Sequence, residues 1–430
     1  MCCLLLEAMK KLTSCFLFCL VVSLNALASV PEIVNFSTKT YKSHPINYCF
    51  TQDTAGVMFI GNAYGILEYD GQSWRKIALV DGKSALSMDV DVNGRIYIGS
   101  SAEFGYLQKT AAGINEYVSL KAKLPKEDIN EILNLICIDN TVYFRSLYAV
   151  YQYKNNKITK LTPLDKSQLI YFIDKQQEKI LAAKLGKGII QVAPGKPQKI
   201  ASFLSNDQVR GILHFQNETT IYLTDQKIFF PDHPELYHQA NEQIGKANIT
   251  CGLKINETEF LIGTVNKGIF HLNVEGELIS NFNKNSGLQN NFIRDLFLDR
   301  SGNIWLAYNS GIGLLKWNSS IRYIPPSMGI RGMGYCALVQ GDTLFAGTSS
   351  GLYYLPHWQR SLKQQKNFTK VKGIDGMIND LNLANGKIIA CQKAEVFQLS
   401  KGSAIRISNG EWFGAWKWKN NPNRQNQAFV

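Results

Sequence analysis

One motif recurs along this chain and limits its fold more than any bulk property. The segment RDLFLDRSGNIWLAYNSGIGLL, Arg294 to Leu315, alternates apolar and polar side chains, breaks at Asp-x-x-Gly, alternates again and then reaches glycines. DTAGVMFIGNAYGILEYDG at Asp53 to Gly71 and DVNGRIYIGSSAEFGYLQ at Asp91 to Gln108 repeat it. Weaker copies follow, and aligning the residue that ends the central strand places Gly61, Gly99, Arg145, Ala183, Thr224, Gly263, Ala307, Gly347 and Cys391 in register. The steps are roughly 40 residues, the spacing of repeated four-stranded units.

Each part of the unit has a physical role. Asp53, Asp91 and Asp299 are placed to accept turn amides, while Gly56, Gly94 and Gly302 supply the positive φ of a tight hairpin. The strands alternate with period two, which excludes a helical solenoid. One small antiparallel sheet cannot bury both faces alone, so the repeats must stack around an axis with short, protected edges. The expected fold is all-β: a β-propeller of four-stranded blades, each about 40 residues long. An ordinary β-sandwich with similar hairpins is the alternative.

Seven repeats end near Trp317, and Pro325-Pro326 then interrupts the strand pattern. This predicts a seven-bladed ring over residues 29–325, with EIVNF near the N-terminus supplying an outer strand, and repeats eight and nine starting a second ring over 326–430. A single larger ring is the other way to close the repeats. The terminal QNQAFV resembles the apolar triplet before Gly61, which suggests a truncated tenth repeat.

The front of the chain differs in kind. Met9-Lys10-Lys11, an apolar run from Leu12 to Leu24 and Ala26-Leu27-Ala28 have the order of a secretory signal over residues 1–28, with translation starting at Met1 or Met9. The run is shorter than the ~20 residues of a membrane span, so an uncleaved anchor is the lesser alternative. Beyond the leader, Cys49, Cys137, Cys251, Cys336 and Cys391 are odd in number and far apart, as befits buried free thiols rather than a disulfide framework. The six histidines are scattered, and His233 to His238 lacks a metal spacing, so neither metal nor cofactor is expected.

The formal charge is +12, yet the lysines are interspersed with acids and no nucleic-acid-binding motif appears. No direct nucleic-acid contact is expected. Asp89 with Asp91 and Glu257 with Glu259 offer carboxylate pairs for acid–base catalysis, but turns and strand starts account for them. Leu185-Gly-Lys-Gly188 reads as a hairpin, not a phosphate loop. The loops joining second and third strands share one face of a propeller. Tyr64, Glu103, Arg145, Lys184, Asn266 and Tyr308 are the candidate ligand-binding residues there, a mixture suited to sugars or their acidic derivatives. Trp74, Trp305, Trp317, Trp358 and Trp412 are expected to fill space between blades.

FIRDLFLDRSGNIWLAYNSGIGLLKW, GVMFIGNAYGILEYDGQSW and GRIYIGSSAEFGYLQ resemble the two-component regulator propeller repeats in the periplasmic sensor halves of Bacteroidetes-type regulators. The resemblance runs from Pro31 to the end. It implies a periplasmic, non-enzymatic sensor, often of oligosaccharides, able to form a homodimer in the full-length protein. It also implies a triple-tyrosine domain, a membrane helix and an output module, either histidine kinase or helix-turn-helix, none of which this sequence contains. Any membrane attachment would therefore come through a missing C-terminal segment.

Overall fold

Alternation becomes antiparallel β-structure in the computed structural model, which describes residues 30–409 apart from 125–128, 163–166, 177–178, 193–197, 202–206, 217–218, 320, 325–327, 359–365, 394 and 401. The leader over 1–28, the boundary at Pro325-Pro326, Trp412 and QNQAFV lie outside the described residues. Two compact units are present, one spanning Pro31–Arg322 and the other beginning at Tyr323.

The described residues of the first unit form seven sheets. Their innermost strands are Asn47–Gln52, Ser87–Val90, Asn134–Ile138, Ile170–Gln176, Val209–His214, Ile249–Lys254 and Ile293–Leu298. Each innermost strand lies beside the next, and the last returns to the first. The fold is therefore a β-propeller. Apolar side chains fill the spaces between sheets, as where Phe59, Ile66 and Leu79 of the first sheet and its exit loop meet Met88, Ile96 and Ile98 of the second.

The N-terminal strand Val30–Phe36 is not part of the first sheet. It pairs antiparallel with Ile312–Lys316 of the seventh, with Glu32 opposite Lys316 and Phe36 opposite Ile312. EIVNF thus supplies an outer strand to the last sheet. Phe36 stacks on Trp305 at 5.9 Å and meets Trp74 edge-on at 5.3 Å, so Trp305 and Trp74 fill the seam between the seventh and first sheets. Trp317 packs edge-on against His271 at 5.0 Å, and Trp358 packs on the core of the second unit.

The fifth sheet departs from the expected four strands. Val209–His214, Thr220–Thr224 and the short Ile228–Phe229 are followed by Pro231, Pro234 and a helix, His238–Ile244. Proline has no N–H to donate to a further ladder. The helix buries Tyr237, Ala240 and Ile244 against Phe260 and Leu272, and Asn241 replaces the missing strand. Its Oδ1 accepts from Ile228 N at 2.8 Å and its Nδ2 donates to Ile228 O at 3.0 Å.

The Asp-x-x-Gly turns have one geometry. Asp53 Oδ1 accepts from Ala55 N and Val57 N, Asp91 Oδ1 from Asn93 N and Arg95 N, and Asp299 Oδ1 from Ser301 N and Asn303 N. Gly56, Gly94 and Gly302 follow at φ +87, +80 and +76. A different requirement explains glycine at the second-strand end. A Cβ on Gly263 would stand 2.6 Å from Cys251 Sγ and 2.9 Å from Ile293 Cγ2 of the next sheet. The absent side chain is what lets an inner-strand thiol and the neighbouring sheet approach.

The second unit contains two four-stranded sheets, Gly334–Gln340, Thr343–Thr348, Gly351–Leu355 with Thr369–Lys370, and Asp380–Ala384, Lys387–Cys391, Glu395–Ser400 with Ser403–Asn409. They enclose Leu352, Val371, Ile374 and Ile378. All five described cysteines are free; Cys137, Cys251 and Cys391 are buried, Cys49 and Cys336 half-buried. Among the described residues, no helix is long and apolar enough to cross a membrane.

Candidate functional site

Strand pairing fixes which residues share a face. Asn62 lies opposite Asn47, Arg145 opposite Asn134, Lys184 opposite Ile170, Thr224 opposite Val209, Thr264 opposite Ile249 and Tyr308 opposite Ile293. The starts of the inner strands and the hairpins after the second strands therefore lie at one end of the ring. With Ser100, these second-strand ends form a set of polar, buried residues. The sequence alignment missed the set because it took the preceding residue as its reference. It also slipped by one in the fifth repeat, where the counterpart of Gly61 is Leu223, opposite Ile228; in the third, Arg145, opposite Val150, is that counterpart and Ser146 follows it.

Most members of the set serve their own hairpin or seam. Asn62 Oδ1 accepts from Tyr64 N at 3.0 Å. Thr224 Oγ1 accepts from Lys227 N at 3.1 Å, and Thr264 Oγ1 accepts from Lys267 N at 3.1 Å while donating to Gly268 O at 2.8 Å. Short hydroxyl and amide side chains suit that task because they reach back to the local backbone. Arg145 and Lys184, in adjacent sheets, are long cations. In the third sheet Ser146 has the threonine's place, accepting from Ala149 N at 3.3 Å and Tyr148 N at 3.4 Å.

Arg145, on the strand face turned to the next sheet, crosses to it, where Nη1 donates to Ile170 O at 2.7 Å. It is only 8% exposed, and its Nε has no partner among the described residues. Burial lowers the guanidinium to about 10; Arg210 adds to the effect and Glu131 opposes it. Lys184 is equally buried at 8%. Arg210, the second residue of the fifth inner strand, is exposed and donates from Nη2 to Gln208 Oε1 at 2.8 Å.

The other candidates divide. Tyr64 is 52% exposed, with His44 edge-on at 4.8 Å and Lys76 Nζ 5.0 Å from its ring centre. Asn266 is exposed. Glu103 and Tyr308 are not open to a ligand, which corrects the expectation for both. Glu103 is fully buried and accepts from Tyr117 Oη at 2.9 Å and Ser119 Oγ at 2.7 Å, because its strand turns that side chain into the second sheet. Tyr308 is fully buried over Gly313 and donates to Asn35 Oδ1 at 3.0 Å.

The carboxylate pairs have structural duties. Asp89 Oδ2 accepts from Cys137 N at 2.7 Å, joining the second and third sheets, and Glu257 accepts from Gln216 N and Lys254 Nζ. Among the described residues no group of three His, Cys, Asp or Glu could hold a metal. At the opposite end of the ring, a cleft of ≈ 320 Å³ lies between Asp53, Asn93, Arg95, Lys109 and Asn115. Its walls include the Asp53 and Asp91 turns already described.

Residues 287–310 match the two component regulator propeller family. The chain carries a regulator propeller repeat. The matched segment spans the entry loop, inner strand and second strand of the seventh sheet, including Asp299 and Gly302. Extracellular domains of component-system proteins are among the solved structures similar in fold. The extracellular domain of a hybrid two component system, BT3049, from B. thetaiotaomicron is 14% identical with a TM-score of 0.62, covering 87% of this chain and 54% of that one. The extracellular domain of a one component system, BT4673, from the same organism is 18% identical with a TM-score of 0.54, covering 87% and 53%. Virginiamycin B lyase from Staphylococcus aureus is 14% identical with a TM-score of 0.52, covering 66% of this chain and 98% of that one. At these identities the likeness is one of fold, and the chain spans about half the length of the two extracellular domains. No curated protein matches the sequence.

Proposed function

We propose that this chain is an extracytoplasmic, ligand-sensing part of a signalling regulator, that its ligand is a carbohydrate, and that the hairpin face of the ring receives it. The observation that carries the reading is a regulator propeller repeat built into a closed ring, with Tyr64, Arg145 and Arg210 at one end. Aromatic, amide and charged groups together suit sugar rings and their hydroxyls. Signal transmission follows when the ligand binds one arrangement of a dimer better than another, since only differential affinity shifts an equilibrium. The output modules and the membrane anchor belong to the same proposal.

The test is a panel of purified plant and host oligosaccharides presented to the chain, read by thermal shift and calorimetry. A sensor raises its melting temperature with saturable dependence on one sugar class and leaves that sugar chemically unchanged. Turnover of the bound sugar, seen by chromatography, would replace the sensor reading with an enzymatic one.

A further inference from the structure

Resting on that reading, we propose that the ligand bears an anionic group, a carboxylate or sulfate-type oxyanion, and that Arg145 and Arg210 bind it with Lys184 between them in the ring. The second-strand ends carry different chemistry around the ring. At the second-strand end, the fifth and sixth sheets use threonine for their hairpins and the first uses asparagine. The third keeps a hydroxyl there, Ser146, with Arg145 just before it on the face turned to the fourth sheet, and the fourth places Lys184 there. The local turn does not need the guanidinium, because Ser146 closes it.

Charge balance supplies the second step. A buried cation is stable when a counter-charge or a full set of acceptors meets it. Arg145 has the Ile170 carbonyl at 2.7 Å and a buried Nε with no partner among the described residues, and Glu131, which offsets its charge in part, makes no ion pair with it among the described residues. Arg210, at the same end of the fifth sheet, adds a second positive charge that acts on the first. An oxyanion between the two would relieve their repulsion and occupy the planar fork of donors that arginine presents. A neutral hydroxyl would do neither. Strand register puts Arg145, Lys184 and Arg210 at the same end of three successive sheets, so one ligand can span them.

The experiment titrates the intact chain with sodium sulfate, with a uronate oligosaccharide and with its neutral counterpart, read by calorimetry and thermal shift. The expected result is binding of the two anions that weakens as salt rises, with Arg210→Gln losing about tenfold in affinity, equivalent to ~1.4 kcal/mol. Arg145→Lys keeps the charge but not the fork, and is expected to weaken uronate binding; if that variant fails to fold, Arg210→Gln decides the matter, because Arg210 is exposed. Equal binding of the neutral sugar, unaffected by Arg210→Gln, overturns the anion site while leaving the sensor reading intact. Arg210-dependent stabilisation by sulfate without binding of either sugar upholds the anion site and removes the carbohydrate. No response to either anion overturns the inference.

Discussion

Tyr308 Oη donates to Asn35 Oδ1 across 3.0 Å, tying the seventh sheet's second strand to the N-terminal strand that completes that sheet. Phe36 beside it stacks on Trp305, so the ring is held shut by side chains from opposite ends of the unit. Phe36→Ala should therefore destabilise the first unit by about 2 kcal/mol, a half-buried fraction of a full aromatic truncation. Urea unfolding followed by tryptophan fluorescence reads this directly, since Trp74 and Trp305 border the site. An unchanged midpoint would mean the strand does not latch the ring.

Asn241→Leu should cost about 1–2 kcal/mol, because both backbone groups of Ile228 lose their partner while the helix keeps its apolar face. Hydrogen exchange should quicken at the Ile228 amide before it does in the sixth sheet. Uniform quickening across both would show that Asn241 is not a local substitute for a strand.

Gly263→Ala should destabilise by about 2 kcal/mol, since its Cβ meets Cys251 Sγ and Ile293 Cγ2 at less than van der Waals distance. Gly334→Ala, where nothing lies within 4 Å of the new Cβ, is the control expected to change little. Equal effects in thermal melts would remove the steric account of the repeated glycine.

Asp295 is pushed up to about 7 by burial, against an ordinary carboxylate near 3.9, with the Leu296 N–H giving partial relief. The folded protein then holds a proton that the unfolded chain releases, so stability falls as pH rises from about 4 to about 7 and levels off above. Asp295→Asn should flatten that slope. Some dependence should remain, because burial raises Asp89 as well. Denaturant midpoints at pH 5 and pH 8 that drop equally in both proteins would contradict the assignment.

The sequence made the repeat legible because its turn chemistry is local: an aspartate that caps and a glycine at positive φ report on their own neighbourhood, as at Asp53 and Gly56. Long-range relations were harder to read. Asn241 acts on Ile228 through an amide rather than a strand, and a stretch rich in His, Pro and Glu gave no period to announce it. Glu103 and Tyr308 sit in hairpin segments like those of exposed candidates, and only packing against Tyr117 and Gly313 shows them turned inward. The polar set ending the second strands was visible as Asn62, Ser100, Thr264 and their counterparts, but its meaning required the register.

The borrowed strand of the seventh sheet also orders events in time. Val30–Phe36 leaves the ribosome before the rest of the ring, yet its partner, Ile312–Lys316, follows about 280 residues later, after the other six sheets. Until then the early strand is an unmatched edge, and the propeller is an open arc awaiting its clasp.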